Sequence, residues 1–175
     1  MENCILMRPD KAMADEIAAY RREFRESGDS MDGTGALGRI EDPCEWVDFC
    51  MKLSSEETVP ENWVPSMQFM YVRPSDHKIV GMIDIRRRFN DYLRNYGGNI
   101  GYSVRPSERN KGYASRMLAG VLPICRELGF EKVLITCDAG NEASRKTILK
   151  NGGVYESTVL APDENELVER YWNEL

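Results

Sequence analysis

The sequence predicts one mixed α/β domain in which two helices precede a region of strands and helices. Three observations support this fold class. Apolar residues recur at helical spacing in the first third of the 175-residue chain. Runs of strand-forming residues follow, one of them wholly apolar, as in strands that are buried on both faces. Helical segments separate the later strands, and the length suits one hydrophobic core.

Two helices are predicted before the strand region. Residues 10–26 carry a single apolar stripe, and Gly28 is suited to ending that helix. A glycine-rich loop over residues 28–38 leads to a second amphipathic helix over 43–53. Residues 54–65 contain two prolines and scattered polar residues, which favours a loop.

The remaining chain alternates between strand and helix patterns. The predicted strands cover residues 67–73, 78–88, 99–105, 131–137, 154–160 and 167–172, and the predicted helices cover 112–128 and 142–151. The first two strands form a hairpin around a Pro-Ser-Asp-His turn. Pro123 lies inside a predicted helix and should kink it, because proline removes one backbone hydrogen bond at a cost of about 3 kcal/mol.

The charge of the chain is unevenly distributed. The formal net charge is −6, but residues 1–65 sum to −8, residues 66–153 to +7 and residues 154–175 to −5. The basic middle suits an anionic ligand, and the acidic flanks suit a cationic one. We expect no nucleic-acid partner, because a net acidic chain binds nucleic acid poorly by bulk charge.

Cysteine and histidine usage bounds the compartment and the chemistry. Five cysteines without a CxxC pair favour free thiols in a reducing compartment, and the N-terminal residues do not resemble a signal peptide. We therefore expect a cytoplasmic protein. One histidine argues against a zinc site, and no metal is predicted. No run approaches the roughly 18 uncharged residues of a membrane span, so no membrane partner is expected.

Residues 33–38 match the dinucleotide-binding pattern GxGxxG letter for letter. In a dinucleotide site these glycines lie between a strand and a helix, so that the helix N-terminus faces the pyrophosphate. Here a predicted helix comes before the loop, and the strand is missing. A mobile glycine loop near a substrate entrance is the better interpretation.

A second loop, residues 109–114, lies in the context that anion binding requires. It follows a predicted strand and begins a helix, whose first amides lack internal partners and carry partial positive charge. A pyrophosphate can bind there, and Gly112 allows close approach of the backbone. Arg109 and Lys111 add positive charge. The alternative is an ordinary turn with solvated basic residues.

The sequence here resembles the GNAT superfamily of N-acetyltransferases. Arg109, Gly112 and Ala114 occupy the fixed positions of that family's coenzyme A loop, Arg/Gln-x-x-Gly-x-Gly/Ala. Residues 104–106 are similar to the Val-x-Pro that ends its fourth strand. Asn141 follows the buried strand, as Asn often does in the family. The resemblance is firm over residues 66–160 and rests on element order alone over 1–65.

The resemblance implies a central mixed, mostly antiparallel sheet flanked by helices, with acetyl-CoA bound between two splayed strands, residues 99–105 and 131–137. Backbone groups of Tyr102, Ser103 and Val104 would hold the pantetheine arm, and an amide there would polarise the thioester carbonyl. The pyrophosphate would lie on the loop. The other implied coenzyme-binding residues are Arg109, Asn110, Lys111, Gly112, Tyr113, Ala114, Ser115, Asn141 and Ser144.

The single domain is expected to divide by task. Residues 1–65 form a helical acceptor-side part, residues 66–160 the coenzyme-binding core, and residues 161–175 a C-terminal strand. The expected acceptor is a primary amine of a small molecule or peptide. Acidic residues of the first loop would favour a cationic amine: Asp29, Asp32, Glu41 and Asp42. Exposed edge strands near the C-terminus are compatible with a homodimer.

The catalytic residues are less defined. Many relatives carry a tyrosine as general acid seven residues after the Asn, and here that position is Ile148. Tyr102 and Tyr155 are the nearby tyrosines, and neither is placed against the sulfur by the sequence. Tyr102 is taken as a catalytic candidate together with Asn141 and Asp84. Asn141 is either a helix cap or a hydrogen-bond partner near the thioester. Asp84 either faces the cleft as a base or pairs with a neighbouring arginine, and the second interpretation is favoured.

Several further side chains are given structural roles. The three arginines at residues 86–88 are expected at a solvated strand end, although they could attract an anion such as the coenzyme's 3′-phosphate. Glu108 adjoins the phosphate loop and is expected to face solvent, because inward it would repel the pyrophosphate. Cys137 is expected to be a small buried apolar residue, with an acyl-cysteine route as a minor alternative. The leading function is acetyl-CoA-dependent N-acetyl transfer by direct attack, and a non-catalytic acyl-CoA sensor is the alternative.

Overall fold

The computed structural model describes residues 3–162 and 165–175. Its strands are β1 (Ile5–Met7), β2 (Ser66–Arg73), β3 (Lys78–Arg86), β4 (Ile100–Val104), β5 (Lys132–Asp138), β6 (Val154–Ala161) and β7 (Glu166–Glu174). Its helices are α1 (Ala14–Ser27), α2 (Pro43–Leu53), α3 (Tyr113–Glu127) and α4 (Glu142–Lys150). No helix among the described residues is long and apolar enough to cross a membrane.

The strands form one sheet in the order β1-β2-β3-β4-β5-β7-β6. Only the β4–β5 contact is parallel, and every other neighbouring pair is antiparallel. The predicted mixed, mostly antiparallel sheet is therefore confirmed. The predicted C-terminal strand spans residues 161–175, of which 163 and 164 lie outside the described residues.

Helices cover both faces of the sheet. On one face, α1 and α2 bury Tyr20, Phe24 and Trp46 against β2 and β3. On the other face, α3 and α4 bury Met117 and Ile148 against the central strands. Burial of such large apolar side chains stabilises each helix by about 1.5–3 kcal/mol per residue. This packing holds the helix starts, where the candidate site lies, against the central strands.

Most predicted elements are confirmed, with three differences. Residues Leu93–Gly97, predicted as part of a loop, form a short π-helix. The three-residue strand β1 was not predicted, because a run this short shows no alternation of apolar and polar residues. The helix α3 continues through Pro123. Both Pro123 and Ala119, whose carbonyl loses its backbone partner, lie on the exposed face. Water can therefore satisfy that carbonyl, which limits the cost of the proline.

Candidate active site

The two central strands part directly after their single point of contact. β4 and β5 pair only at Ile100 and Ile135. Just before this pair, the Asn99 amide donates to the Leu134 carbonyl at 2.7 Å, and its side-chain Oδ1 accepts from the Leu134 amide at 2.8 Å. Asn99 thus fastens the strands at one end, and beyond Ile100 they diverge. A V-shaped gap opens in the middle of the sheet.

One edge of this gap is β4, and its backbone has hydrogen-bonding groups directed into the gap. The Arg86 amide bonds the Asn99 carbonyl at 2.7 Å, and the Arg105 amide bonds the Val80 carbonyl at 2.9 Å. Backbone groups alternate in direction along an antiparallel strand. The Asn99 carbonyl and the backbone groups of Gly101, Ser103 and Arg105 therefore face β3, whereas those of Tyr102 and Val104 face the gap.

A cleft of about 1480 Å³ runs through the gap. At one end it reaches the loop that begins α3, and at the other end it reaches the loops around Asp32 and Tyr92. The first turn of α4 and the end of β5 form one wall. The geometry provides a long groove with a backbone edge in the middle and different side chains at the two ends.

The loop at the first end presents the start of α3. Asn110 and Gly112 have positive φ values of 61° and 73°, and α3 begins at Tyr113. No side chain among the described residues caps this helix, so its first amides point towards the cleft. A Cβ at Gly112 would meet nothing closer than 3.7 Å, so the left-handed backbone, rather than crowding, favours glycine here.

Glu108 corrects one expectation. Its carboxylate is 4% exposed and receives ion pairs from Arg73 at 2.9 Å, Lys78 at 2.8 Å and Lys111 at 2.9 Å. Burial raises the pKa of Glu108, but these three cations outweigh it and lower the pKa to about 2. The expected solvent-facing position is wrong, because two of its cations come from the distant β2–β3 hairpin. Three cations around one carboxylate leave this end positive.

Arg109 connects the two sides of the cleft. Its guanidinium pairs with Asp29 at 2.7 Å, and its Nε donates to the Val104 carbonyl at 3.2 Å. Arg109 also lies 5.7 Å from the centre of the Phe24 ring. Asp29, expected at the acceptor end, is therefore neutralised beside the coenzyme loop. Asp42, from the same predicted acidic set, caps α2 instead, at 2.7 Å from the Cys44 amide.

Asp84 forms the predicted pair with its neighbour. Its Oδ2 accepts from Arg86 Nε at 3.2 Å, and its Oδ1 accepts from the Gly101 amide at 3.1 Å. Burial raises the pKa of Asp84, and the nearby Arg86 guanidinium opposes that rise. Arg86 also donates to the Gly97 carbonyl at 2.8 Å, so it is held inside the fold rather than at a solvated strand end.

The Gly33 loop is anchored to the middle of the cleft. α1 precedes this loop, so the strand of a dinucleotide site is replaced by a helix. A Cβ at Gly33 would lie 2.2 Å from the Gly101 carbonyl oxygen, so the two backbones touch. Gln68 Nε2 donates to the Gly33 carbonyl at 2.7 Å, and Trp46 Nε1 donates to the Thr34 carbonyl at 2.9 Å. The loop adjoins the cleft as expected, but these contacts fix its position.

Tyr102 crosses the gap from β4 to α4. Its hydroxyl lies 2.7 Å from Ser144 Oγ, and burial raises its pKa. Asn141 caps α4, with Oδ1 accepting from the Ser144 amide at 3.0 Å, which is the cap interpretation given to it above. Tyr155 lies on β6 with its hydroxyl 2.9 Å from Thr158, outside the cleft lining. Ile148 is fully buried.

Cys137 lies beside this contact at the end of β5. It is 8% exposed, and burial, reinforced by Glu169, raises the pKa of its thiol to about 11. The thiol therefore keeps its proton at neutral pH, and only a thiolate is a strong nucleophile. This environment supports the interpretation of Cys137 as a small buried apolar residue.

The second end of the cleft is acidic, and sequence reasoning found only part of it. Asp32, Asp138 and Glu166 line this region, and among the described residues none of the three forms an ion pair. Burial raises the pKa of Asp138, and the charges of Glu166 and Asp32 raise it further. Asp138 could have been predicted as a cleft residue from its position directly after the predicted buried strand. Glu166 offered none, because its strand neighbours become known only from the fold.

Aromatic residues complete this acidic end. Trp63, Tyr92 and Tyr96 line the cleft, and the two tyrosine rings lie 5.8 Å apart. The Tyr96 carbonyl accepts from Thr136 Oγ1 at 2.7 Å, which fixes the loop to β5. Arg39 also lines the cleft and already lies 5.6 Å from the centre of the Trp63 ring. The three carboxylates outnumber this cation, so they and the tyrosine faces favour a positively charged ligand.

The sequence model of the acetyltransferase (GNAT) domain family matches residues 11–154. No curated protein matches the sequence significantly. Among solved structures, a ribosomal-protein-S5-alanine acetyltransferase from Vibrio fischeri superposes with a TM-score of 0.75 and 18% identity, over 99% of this chain and 94% of that one.

Two other solved structures are also similar. The microcin self immunity acetyltransferase MccE, in complex with acetyl-CoA and AMP, has a TM-score of 0.71 and 15% identity, over 100% of this chain and 94% of that one. A variant of the spermidine N-acetyltransferase SpeG from Vibrio cholerae has a TM-score of 0.64 and 13% identity, over 97% and 94%. At these identities the structures establish the fold.

Proposed function

The chain belongs to the GNAT acetyltransferase family, and we propose that it transfers the acetyl group of acetyl-CoA to a primary amine by direct attack in a ternary complex. The parting of β4 and β5 next to the uncapped start of α3 carries this proposal. It provides a backbone edge for an extended arm and a set of amides for a pyrophosphate in one continuous cleft.

The coenzyme would bind along β4 and end on α3. The backbone groups of Tyr102 and Val104 face the gap and would pair with the pantetheine arm. Those of Ser103 face β3, so its part in holding the arm is the least favoured of the three. A free amide in this stretch would polarise the thioester carbonyl. Loop amides would hold the pyrophosphate, with the surplus charge around Glu108 in support.

The acceptor would be a small-molecule or peptide amine that carries a further positive charge. Asp32, Asp138 and Glu166 at the second end support this choice, because none of them forms an ion pair with another described residue. The names of two similar proteins give their own acceptors as spermidine and a ribosomal-protein alanine. A second cation on the acceptor would hold it by these carboxylates while its reactive amine faces the thioester.

The amine must lose a proton before it attacks. Asp138 is better placed for this than Asp84, because Asp84 is occupied by Arg86 and the Gly101 amide. Asp138 is exposed to the cleft, and its raised pKa brings it closer to neutrality, where a general base works best. Asp84 would position Gly101 and the Gly33 loop. Asn141 would orient Ser144 through the helix cap.

Two further properties accompany the proposed activity. All five cysteines are free, which supports a reducing, cytoplasmic location. The edge strand β6 and its neighbour β7 expose Tyr155, Leu160 and Leu167, which lie on one face by the observed register. This apolar surface supports a homodimer. Sedimentation of the purified chain should give twice the mass of 20.0 kDa, and a monomer at micromolar concentration would contradict it.

A non-catalytic acyl-CoA sensor is the second candidate, and buried Ile148 is the observation that favours it. Two measurements on one sample separate the candidates. Acetyl-CoA should raise the melting temperature, and addition of butylamine, spermidine or an alanine-terminated peptide should release free thiol. A raised melting temperature without thiol release would identify a sensor. No response in either measurement would contradict both candidates.

A further inference from the structure

Acetyl transfer leaves a thiolate on the coenzyme, and groups in the cleft must stabilise and protonate it. When the amine nitrogen bonds to the thioester carbon, the carbon–sulfur bond breaks and its electron pair remains on sulfur. The resulting thiolate needs a hydrogen-bond donor and then a proton. In the part of β4 that does not pair with β5, the hydroxyl of Tyr102 contacts the hydroxyl of Ser144 on α4.

The position of the Tyr102 hydroxyl follows from its strand and from two contacts. Tyr102 lies two residues after Ile100, where the strands part, and its own backbone faces the gap. Its side chain reaches the first turn of α4, where the hydroxyl lies 2.7 Å from Ser144 Oγ and 3.4 Å from the Ser144 carbonyl. The phenol therefore lines the cleft where β4 and α4 touch, beside the edge along which an extended arm would run.

Ser144 is itself held in place. Its amide donates to Asn141 Oδ1 at 3.0 Å, in the first turn of a nine-residue helix whose dipole is positive at this end. Ile148 follows one turn later on the same side of α4, fully buried and without a proton to give. The phenol at this level of the cleft thus comes from β4 rather than from α4.

We propose that Tyr102 is the catalytic acid, donating its hydroxyl proton to the leaving sulfur, and that Ser144 is a positioning residue that holds and reprotonates it. The proposal rests on the proposed acetyl transfer. In the step, the amine bonds to carbon, the carbon–sulfur bond breaks and the phenol proton moves to sulfur. The proton lost by the amine then restores the phenol through the Ser144 hydroxyl and water, so no further reactant is needed.

The environment keeps the Tyr102 proton available. Burial raises its pKa, and the nearby charge of Asp32 acts in the same direction. Tyrosinate is therefore disfavoured at neutral pH, so the hydroxyl still carries its proton when the carbon–sulfur bond begins to break. The hydrogen bond between the Tyr102 and Ser144 hydroxyls opposes this rise, so the serine can stabilise the phenol oxygen until it is reprotonated.

The test compares Tyr102→Phe with the wild-type chain in the thiol-release assay. We expect kcat to fall by about 100-fold, the range for loss of a general acid, while KM and the thermal shift for acetyl-CoA change less than about twofold. Tyr155→Phe is the matched control, because that tyrosine lies on β6 outside the cleft, and its kcat should equal that of the wild type.

Ser144 variants separate positioning from packing. Ser144→Ala should lower kcat by about tenfold, and Ser144→Thr, which keeps the hydroxyl, should restore most of it. A Tyr102→Phe kcat within about threefold of wild type, or a loss explained by weaker acetyl-CoA binding, would overturn the role of Tyr102. A wild-type chain that releases no thiol with any amine would instead overturn the proposed acetyl transfer.

Discussion

The two ends of the cleft are built in different ways. At the coenzyme end, Arg109 and Lys111 are already paired with Asp29 and Glu108, and the loop is one continuous segment. At the acceptor end, Asp32, Asp138 and Glu166 come from three separate segments and lack ion-pair partners among the described residues. The first end is thus organised by the protein, whereas the second leaves charge for a ligand to neutralise.

Breaking the coenzyme end at its backbone should have the largest effect. Gly112→Val places a branched side chain at φ +73° and over the first amides of α3. Loss of two charge-assisted hydrogen bonds corresponds to about 4 kcal/mol, or about 1000-fold weaker acetyl-CoA binding by calorimetry. Gly129→Val is the matched control, since Gly129 has φ +88° beyond the other end of α3. Its binding should stay intact, and equal losses in both variants would contradict the loop assignment.

Removing the charge of Glu108 should destabilise the fold by up to about 3 kcal/mol at pH 7, since its pKa falls from 4.5 to about 2 on folding. A lowered pKa stabilises the folded state above the unfolded value, and this contribution disappears as pH falls from 4.5 through 2. Urea denaturation of Glu108→Gln should therefore approach wild type near pH 2. A difference that is the same at pH 7 and pH 2 would show that the ion pairs are not its cause.

Removing a carboxylate charge at the acceptor end should change the kinetics of the amine acceptor and not the binding of acetyl-CoA. Asp32→Asn and Asp138→Asn should each raise the KM for spermidine by about tenfold, equivalent to about 1.4 kcal/mol, without changing acetyl-CoA binding. Asp138→Asn should also lower kcat if this carboxylate is the base. Glu127→Gln, an exposed change at the far end of α3, is the control. Unchanged kinetics in both aspartate variants would remove the acidic end from acceptor binding.

The smallest effect is expected for the exposed ion pair between Asp29 and Arg109. Asp29 and Arg109 are 43% and 42% exposed, and pairs of this kind contribute at most about 1 kcal/mol. Asp29→Asn should leave the KM for spermidine unchanged and tighten acetyl-CoA binding slightly, because Arg109 loses a competing anion. A higher KM for spermidine would return Asp29 to the acceptor site, where the sequence placed it.

Features that depend on consecutive residues could be predicted from the sequence, whereas features that join distant segments could not. The bounds predicted for α2 were those observed, because Pro43 and the apolar stripe are local signals. The loop proposed to bind the coenzyme could be predicted because its residues are consecutive. Glu108 was misplaced because Arg73 and Lys78 reach it only after the β2–β3 hairpin folds. The contact between Tyr102 and Ser144 was also invisible, since 42 residues separate them.

The family model matches a longer part of the chain than the part in which motifs were found. It covers residues 11–154, including both N-terminal helices, for which only the order of elements had suggested a resemblance. These helices bury large apolar side chains against the sheet, and their connecting loop carries Gly33 onto Gly101. Packing of this kind leaves no short motif, because many different apolar residues can fill the same volume.

Thiol release from acetyl-CoA with two amines of equal length tests the central claim most directly. Butylamine and 1,4-diaminobutane differ in one terminal ammonium group, which the acidic end should bind. With acetyl-CoA at the first end and a cationic acceptor at the second, we expect acetyl transfer to both amines. The value of kcat/KM should be about tenfold higher for the diamine at low salt, because the acidic end binds its second ammonium group. Equal kcat/KM values would contradict the acidic acceptor end, and no thiol release with either amine would contradict acetyl transfer itself.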